Sequence, residues 1–368
     1  GHTIILKDGD YSSNVSLKNV RATEEHPVII KAENRGKAVI KGQFTIEQSS
    51  YIIVEGLKFE DSSETKIHSS NNCRFTRNHF KKNESGKTSL KWLLVYGENS
   101  HHNRIDHNLF ENKTIKGPIL IIGDGNQTSQ YDRIDHNYFK NNSPRADNEK
   151  ETIRLGDSGS QAGSGYTIIE YNLFEDCDGD PEVISVKNCD NTIRYNTFVS
   201  CLGVVCLRHG HRNQVYGNYF LGNNKTGLDE KGATIGTGGV RLYGEDHKVY
   251  NNFFADLTGS GFGGVLQIDG GDTDNWGNGN GGHQTVRRAE ICFNTFVNNE
   301  YNIEIGKNYT KAPRDCKIAN NIVVGSKQDL VSVWKTPVNF TYEGNIMFPT
   351  GSNQIGVALT QNEIWETN

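Results

Sequence analysis

Thr192–Phe198 reads TIRYNTF, and Gln214–Phe220 reads QVYGNYF. In each, a short β-prone run ends on Asn, one variable residue and Phe. The same figure recurs as RFTRNHF (Asn78), RIDHNLF (Asn108), RIDHNYF (Asn137), IIEYNLF (Asn172), KVYNNFF (Asn252) and EICFNTF (Asn294). It closes with KIANNIV (Asn321) and TYEGNIM (Asn345), and an earlier unit, IIVEGLKF, places Gly56 at the Asn position. Asn196 and Asn218 stand 22 residues apart, and longer steps carry insertions. A unit of about that length holds three short strands and three turns, one coil of a solenoid. Asn or Gly at a fixed place suits a turn with positive φ. Stacked Asn side chains can hydrogen-bond from coil to coil. The Phe two residues on points inward and stacks on its neighbours. The pattern predicts an all-β fold, a right-handed parallel β-helix, the hand following that of parallel crossovers.

Composition agrees. Of 368 residues only 34% are hydrophobic, with 40 Gly and 7 Pro, which fits a narrow solenoid core better than a globular α/β enzyme. The unbroken repeat predicts one domain over residues 1–368, and a monomer is expected. Polar, mostly Gly-rich insertions fall at residues 84–89, 123–130, 157–165, 223–238 and 270–282, where loops leaving one side of a solenoid would wall a cleft. The seven cysteines include no C-x-x-C pair, and buried, unreactive thiols are expected. Net charge is −5 with no basic stripe, which disfavours nucleic acid and requires a local patch for any anionic ligand. No apolar run is long enough to span a membrane. The chain opens on the strand-like His2–Leu6 without a leader, as a processed secreted or periplasmic protein would.

Chemistry-bearing residues concentrate between Asn148 and Arg212. Lys187 and Arg208 are 21 apart, in neighbouring coils. Alternation turns Ile184, Val186, Val205 and Leu207 inward and Lys187 and Arg208 outward. Arg241 points outward one coil later, so the three cations are expected in one column. Just before Lys187 come Asp178, Asp180 and Glu182, which repel one another unless a cation lies among them. Ca²⁺ accepts such carboxylates together with an amide oxygen, and Asn148 lies one coil earlier. Strict parity would put Glu182 opposite Lys187, so a bend is required, and Pro181 is the expected cause. The bland readings are a solvated row of charges and an acidic turn. His101, His102, His107 and His136 read as structural, and Trp276 as either a sugar platform or a loop anchor.

The segments N-x-x-ETIRLG, D-P-EVISVK, LRHGHRN and GGVRLYGEDH together resemble polysaccharide lyase family 6, which contains alginate lyases and chondroitinase B-type enzymes. The likeness covers most of the chain and is strongest from about Asn108 to Asn252. It implies a calcium site of Asn148, Asp180 and Glu182, with Asp180 a shorter arm than the family's usual Glu. It implies Lys187 as the base, five residues after Glu182, and Arg208, followed by His209 and Gly210, as the acid. His209, Arg212, Arg241 and Tyr243 become substrate-binding residues. The implied activity is calcium-dependent β-elimination on alginate, in mannuronate-containing or alternating mannuronate–guluronate blocks. Lys187 must be neutral when it acts, and a nearby Ca²⁺ and Arg208 favour that form. A dermatan sulfate lyase of the chondroitinase B type is the alternative substrate class, and pectate a further one. A non-catalytic glycan-binding β-helix is the alternative from another class.

Overall fold

A computed structural model describes residues 1–359 and the short strand Ile364–Trp365. Three parallel sheets run the length of the chain, and each coil contributes one strand to each. Sheet A includes Thr192–Arg194 and Gln214–Tyr216, sheet B Thr197–Val199 and Tyr219–Leu221, and sheet C Glu182–Val186 and Val204–Leu207. The predicted parallel β-helix is what forms. Among the described residues, no helix is long and apolar enough to cross a membrane.

The repeated Phe builds the core. Phe80, Phe110, Phe139, Phe174, Phe198, Phe220, Phe254 and Phe296 stack face to face, with successive centroids 4.6–5.0 Å apart. The spacing follows from the inter-strand distance of about 4.8 Å. The repeated Asn lies at the corner between sheets A and B. Asn196 Oδ1 accepts from the backbone N and the Nδ2 of Asn172, while Asn196 Nδ2 donates to Asn218 Oδ1 and to the carbonyls of Ile169 and Arg194. Each buried amide thus closes the polar groups of its neighbouring coil, where an unpaired one would cost about 1–3 kcal/mol.

One detail differs from the sequence reading. The positive φ belongs to the residue before the Asn: Arg77, His107, His136, Tyr171 and Tyr195 lie at φ 54–56°. Gly56 (φ 71°) holds that preceding place, and Leu57 stands where the Asn would be, its N–H donating to Asn78 Oδ1. Bulky residues adopt this unfavourable corner because the Asn ladder beside them fixes the turn. A second ladder runs along another corner, through Asn191 and Asn213 to His247, whose Nδ1 accepts from Asn213 N.

All the cysteines are free, and six of the seven are buried. His107 and His136 stack at 4.9 Å, each paired with the aspartate before it. The insertion at 223–238 folds back as an antiparallel hairpin, Thr226–Leu228 with Thr234–Gly236. The insertion at 270–282 reaches along the helix to the one at 157–165. Gly279 N donates to Ser158 O (2.7 Å), Ala162 N to Asn278 Oδ1 (2.9 Å) and Gln161 Nε2 to Asn280 O (2.8 Å).

Candidate active site

Sheet C presents its outer face between these insertions. Val186 pairs with Leu207, so Lys187 and Arg208, the next residues, leave adjacent strands at the same level. Arg241 does not join them. It pairs with Cys206, one outward position earlier, because Leu242 is the partner of Leu207. The expected three-cation column is therefore two rows: Lys187 and Arg208 in one, Ser185, Cys206 and Arg241 in the other.

The bend that brings Glu182 outward is a β-bulge, not Pro181. Glu182 pairs with Val204 and Ile184 with Val205, leaving Val183 as the extra residue. Val183 and Ile184 both enter the core, and the parity of the strand is reset between Glu182 and Lys187.

A cleft of about 640 Å³ opens beside this face. Asn148, Asp180, Glu182, Arg208 and Arg241 line it, with the hairpin at Thr226 and Thr234–Gly236 as one wall. Lys187, His209, Arg212 and Tyr243 are not in its lining. Lys187 is nevertheless close. Its Nζ lies 3.9 Å from Glu151 Oε1, and its side chain is 20% exposed. Arg208 donates through Nη1 to Gly282 O (3.2 Å) and through Nη2 to Gly281 O (2.9 Å), and no carboxylate among the described residues pairs with it.

Three acidic groups share the floor. Asp180 is buried, with Oδ2 accepting from Lys150 N and Oδ1 from Glu182 N, both at 3.0 Å. Burial, then the charges of Glu151 and Glu182, push its carboxyl well above the ordinary range. Glu151 is likewise raised by burial, and its Oε2 is buried without a hydrogen-bond partner. Glu182 behaves oppositely. Burial opposes its charge, but Arg241, Lys187 and Arg208 outweigh it and hold the carboxyl at about 2. Arg241 Nη2 bonds Glu182 Oε1 at 2.6 Å.

Carboxylates that raise one another around an orphaned oxygen fit a hard cation. Asn148 adds an exposed amide beside them. Among the described residues, no three acidic, His or Cys side chains already converge on one point, since Glu182 turns to Arg241. The donor chemistry suits calcium, with Asn148, Asp180, Glu182 and Glu151 as the groups able to hold it.

Three residues expected to contact substrate lie outside the lining of the cleft. Arg212 lies past the turn, its guanidinium bidentate to Asp190 (2.8 Å each), because the chain has already swung toward sheet A. Tyr243 leaves sheet C at the level of Lys187 and Arg208 but is fully buried, packed against His283 and Tyr309 and donating to Asp269 Oδ2 (2.8 Å). His209 is buried, with Nε2 3.2 Å from Ser158 Oγ. Burial, then Arg208 and Lys187, lower it to about 3. Arg241 does line the cleft, but as the partner of Glu182. Trp276 packs edge-on to His211 at 3.9 Å, the arrangement of a loop anchor.

Other residues come into view only here. Glu151 lies inside N-x-x-ETIRLG, where alternation from Ile153 would turn it inward, so parity gave no signal for it. Arg145 braces the acidic turn through Asp180 O (3.0 Å). His283 lines the cleft and bonds Tyr309 Oη (2.8 Å), and burial, then Arg208 and Arg241, lower it to about 4. Phe262 stands at the rim. His283, Tyr309 and Phe262 come from coils later in the chain than Lys187 and Arg208, without a local motif.

Comparison with known proteins follows the same lines. The chondroitinase B family model matches residues 1–364. The solved structure of the family 6 alginate lyase AlyGC superposes with a TM-score of 0.85 at 26% identity, covering all of this chain and 50% of that one. The chain thus spans about half the length of AlyGC. A mannuronic acid-specific family 6 lyase from human gut microbiota gives a TM-score of 0.80 at 26% identity, covering 99% of this chain and 85% of that one. Alginate lyase AlyF-OU02, solved with G6, shares the fold at 23% identity and a TM-score of 0.75, covering 100% and 82%. No curated protein sequence matches. The coil repeat, the outward Lys187 and Arg208 and the matched model lead to one assignment: the chain belongs to the chondroitinase B family, within polysaccharide lyase family 6.

Proposed function

We propose that this chain is a calcium-dependent lyase that cleaves alginate by β-elimination, in mannuronate-containing or alternating blocks. The observation that carries the reading is the shared level of Lys187 and Arg208 on adjacent strands, beside a floor of mutually repelling carboxylates. Elimination needs a base at the carbon alpha to the uronate carboxylate and a stabilised leaving oxygen beta to it. Lys187, neutral at that moment, takes the alpha proton. Arg208, with no carboxylate partner among the described residues, faces the departing oxygen and stabilises its charge. Its guanidinium is held by the carbonyls of Gly281 and Gly282, so it enters the reaction already oriented. Calcium held by Asn148, Asp180, Glu182 and Glu151 would neutralise the substrate carboxylate and make the alpha proton more acidic. Arg241 keeps Glu182 ionised for that role. An extracellular polymer as substrate places the protein outside the cytoplasm, secreted or periplasmic.

Substrate choice rests on the neighbours. Of those at 26% identity, AlyGC is described as an alginate lyase and another as a mannuronic acid-specific family 6 lyase. The matched family model, named for chondroitinase B, favours dermatan sulfate as the second reading. The test is ultraviolet absorbance of the new conjugated double bond. Alginate, poly-mannuronate, poly-guluronate, dermatan sulfate and pectate are each supplied with calcium and with chelator. A calcium-dependent rise on alginate is expected. A rise on dermatan sulfate alone replaces the substrate, and no rise on any polymer removes the lyase reading.

A further inference from the structure

Phe262 occupies an unusual place. It sits in the single turn Gly261–Gly263, inside the glycine-rich stretch 259–264, and its side chain is 48% exposed at the rim of a polar cleft. An aromatic ring left that open contributes little to folding. Yet the loop beneath it is tightly secured. Glu304, fully buried, accepts from Gly261 N (3.0 Å) and from Ser260 Oγ (2.8 Å). Lys307 completes the anchor through Ser260 Oγ (2.8 Å) and Glu304 (3.3 Å). Gly261 holds φ 61°, and a Cβ at Gly259 would stand 1.9 Å from Gly263 O. The Phe262 carbonyl accepts from Arg241 Nη1 (2.5 Å), and the Arg241 guanidinium lies 5.2 Å from the ring centroid. Tyr309 meets the ring at 5.9 Å, edge to face.

A fixed aromatic ring beside arginines and an acidic floor matches what a sugar ring of an acidic polymer requires. Its C–H groups pack on an aromatic face while its hydroxyls and carboxylate turn to polar and cationic groups. We infer that Phe262 is the stacking platform for the uronate ring bound next to the cleaved bond, on the Arg241 side. It is thus a specificity-determining residue of the cleft. The inference rests on the lyase reading above and names a contact which that reading lacks.

The test uses full-length Lys187→Ala protein, so that substrate binds without turnover, and a mannuronate tetrasaccharide measured by calorimetry with calcium present. Adding Phe262→Ala is expected to raise the dissociation constant about tenfold. Phe262→Tyr is expected to restore it and Phe262→Leu is not, because Leu fills the space but lacks the flat face. In the otherwise wild-type enzyme, Phe262→Ala should raise KM more than it lowers kcat, with an unchanged melting temperature. Equal binding by Phe262→Ala and its parent overturns the inference and leaves the lyase reading standing. So does rescue by Leu, which would make the role one of packing. No binding by the parent, with no absorbance change from the wild type on any polymer, overturns both.

Discussion

A corner and a face of the same solenoid treat polar groups in opposite ways. Along the corner between sheets A and B, every ladder Asn from 172 to 321 is buried and hands its hydrogen bonds to the next coil. On the outer face of sheet C, Asp180, Glu151 and Glu182 are packed together with one oxygen left unpaired and two carboxyls forced upward. The first region is polar and settled, the second polar and frustrated. Unspent electrostatic conflict is the signature of a site that awaits a charged partner, whereas a satisfied ladder is scaffold.

The largest effect on the sheet C face is expected at Lys187. Lys187→Ala should lower lyase activity by about 10³-fold or more, because the group that takes the proton is lost. Its melting temperature should stay near wild type, since the side chain lies outside the core. Activity on alginate measured beside thermal unfolding checks this, and retained activity removes Lys187 from the mechanism.

The ladder should respond the other way. Asn196→Ala removes the acceptor of the buried Asn172 N–H and a donor to the carbonyl of Ile169, at a cost of about 2–4 kcal/mol. Urea unfolding should show that loss, while kcat of the surviving folded protein changes little. A mutant as stable as wild type would mean that the ladder decorates the turn without securing it.

A smaller effect comes from His247, the imidazole of the second ladder. His247 is fully buried, and burial foremost lowers it to about 4. The unfolded chain binds that proton near pH 6.5, so the unfolded state takes up more protons below it. Stability from neutral His247 is therefore complete above about pH 6.5 and declines as pH falls toward about 4. At pH 5 the loss is about 2 kcal/mol. His247→Asn, which restores the usual ladder residue, should shrink the difference between urea midpoints at pH 7 and pH 5. An unchanged difference would assign the acid sensitivity elsewhere.

The smallest expected change sharpens the frustrated side. Glu151→Gln relieves the repulsion on Asp180 and should raise stability in chelator by about 1 kcal/mol. Calcium is expected to raise the melting temperature of the wild type, and the same change should reduce that rise. A larger calcium response in the variant would exclude Glu151 from the cation site.

The repeat of Asn, variable residue and Phe determined the coil, the inward aromatic stack and the inter-coil amide bonds. These follow from period-two alternation and a constant step, which are properties of local sequence. The same parity turned Lys187 and Arg208 outward on neighbouring strands. The acidic run before Lys187 and Asn148 one coil earlier marked candidate cation donors, the resemblance gave them roles, and Asn148, Asp180 and Glu182 all line the cleft. What the sequence could not carry was anything that depends on register across strands or on insertions meeting in space. The bulge at Val183, the demotion of Arg241 to partner of Glu182, the burial of His209 and Tyr243 and the departure of Arg212 each hinge on a shift of one or two positions. Phe262, His283 and Tyr309 meet Arg208 and Arg241 only because coils separated by dozens of residues stack a few ångströms apart. Local pattern decides which way a side chain leaves its strand, and only the stacked solenoid decides which charge it finds there.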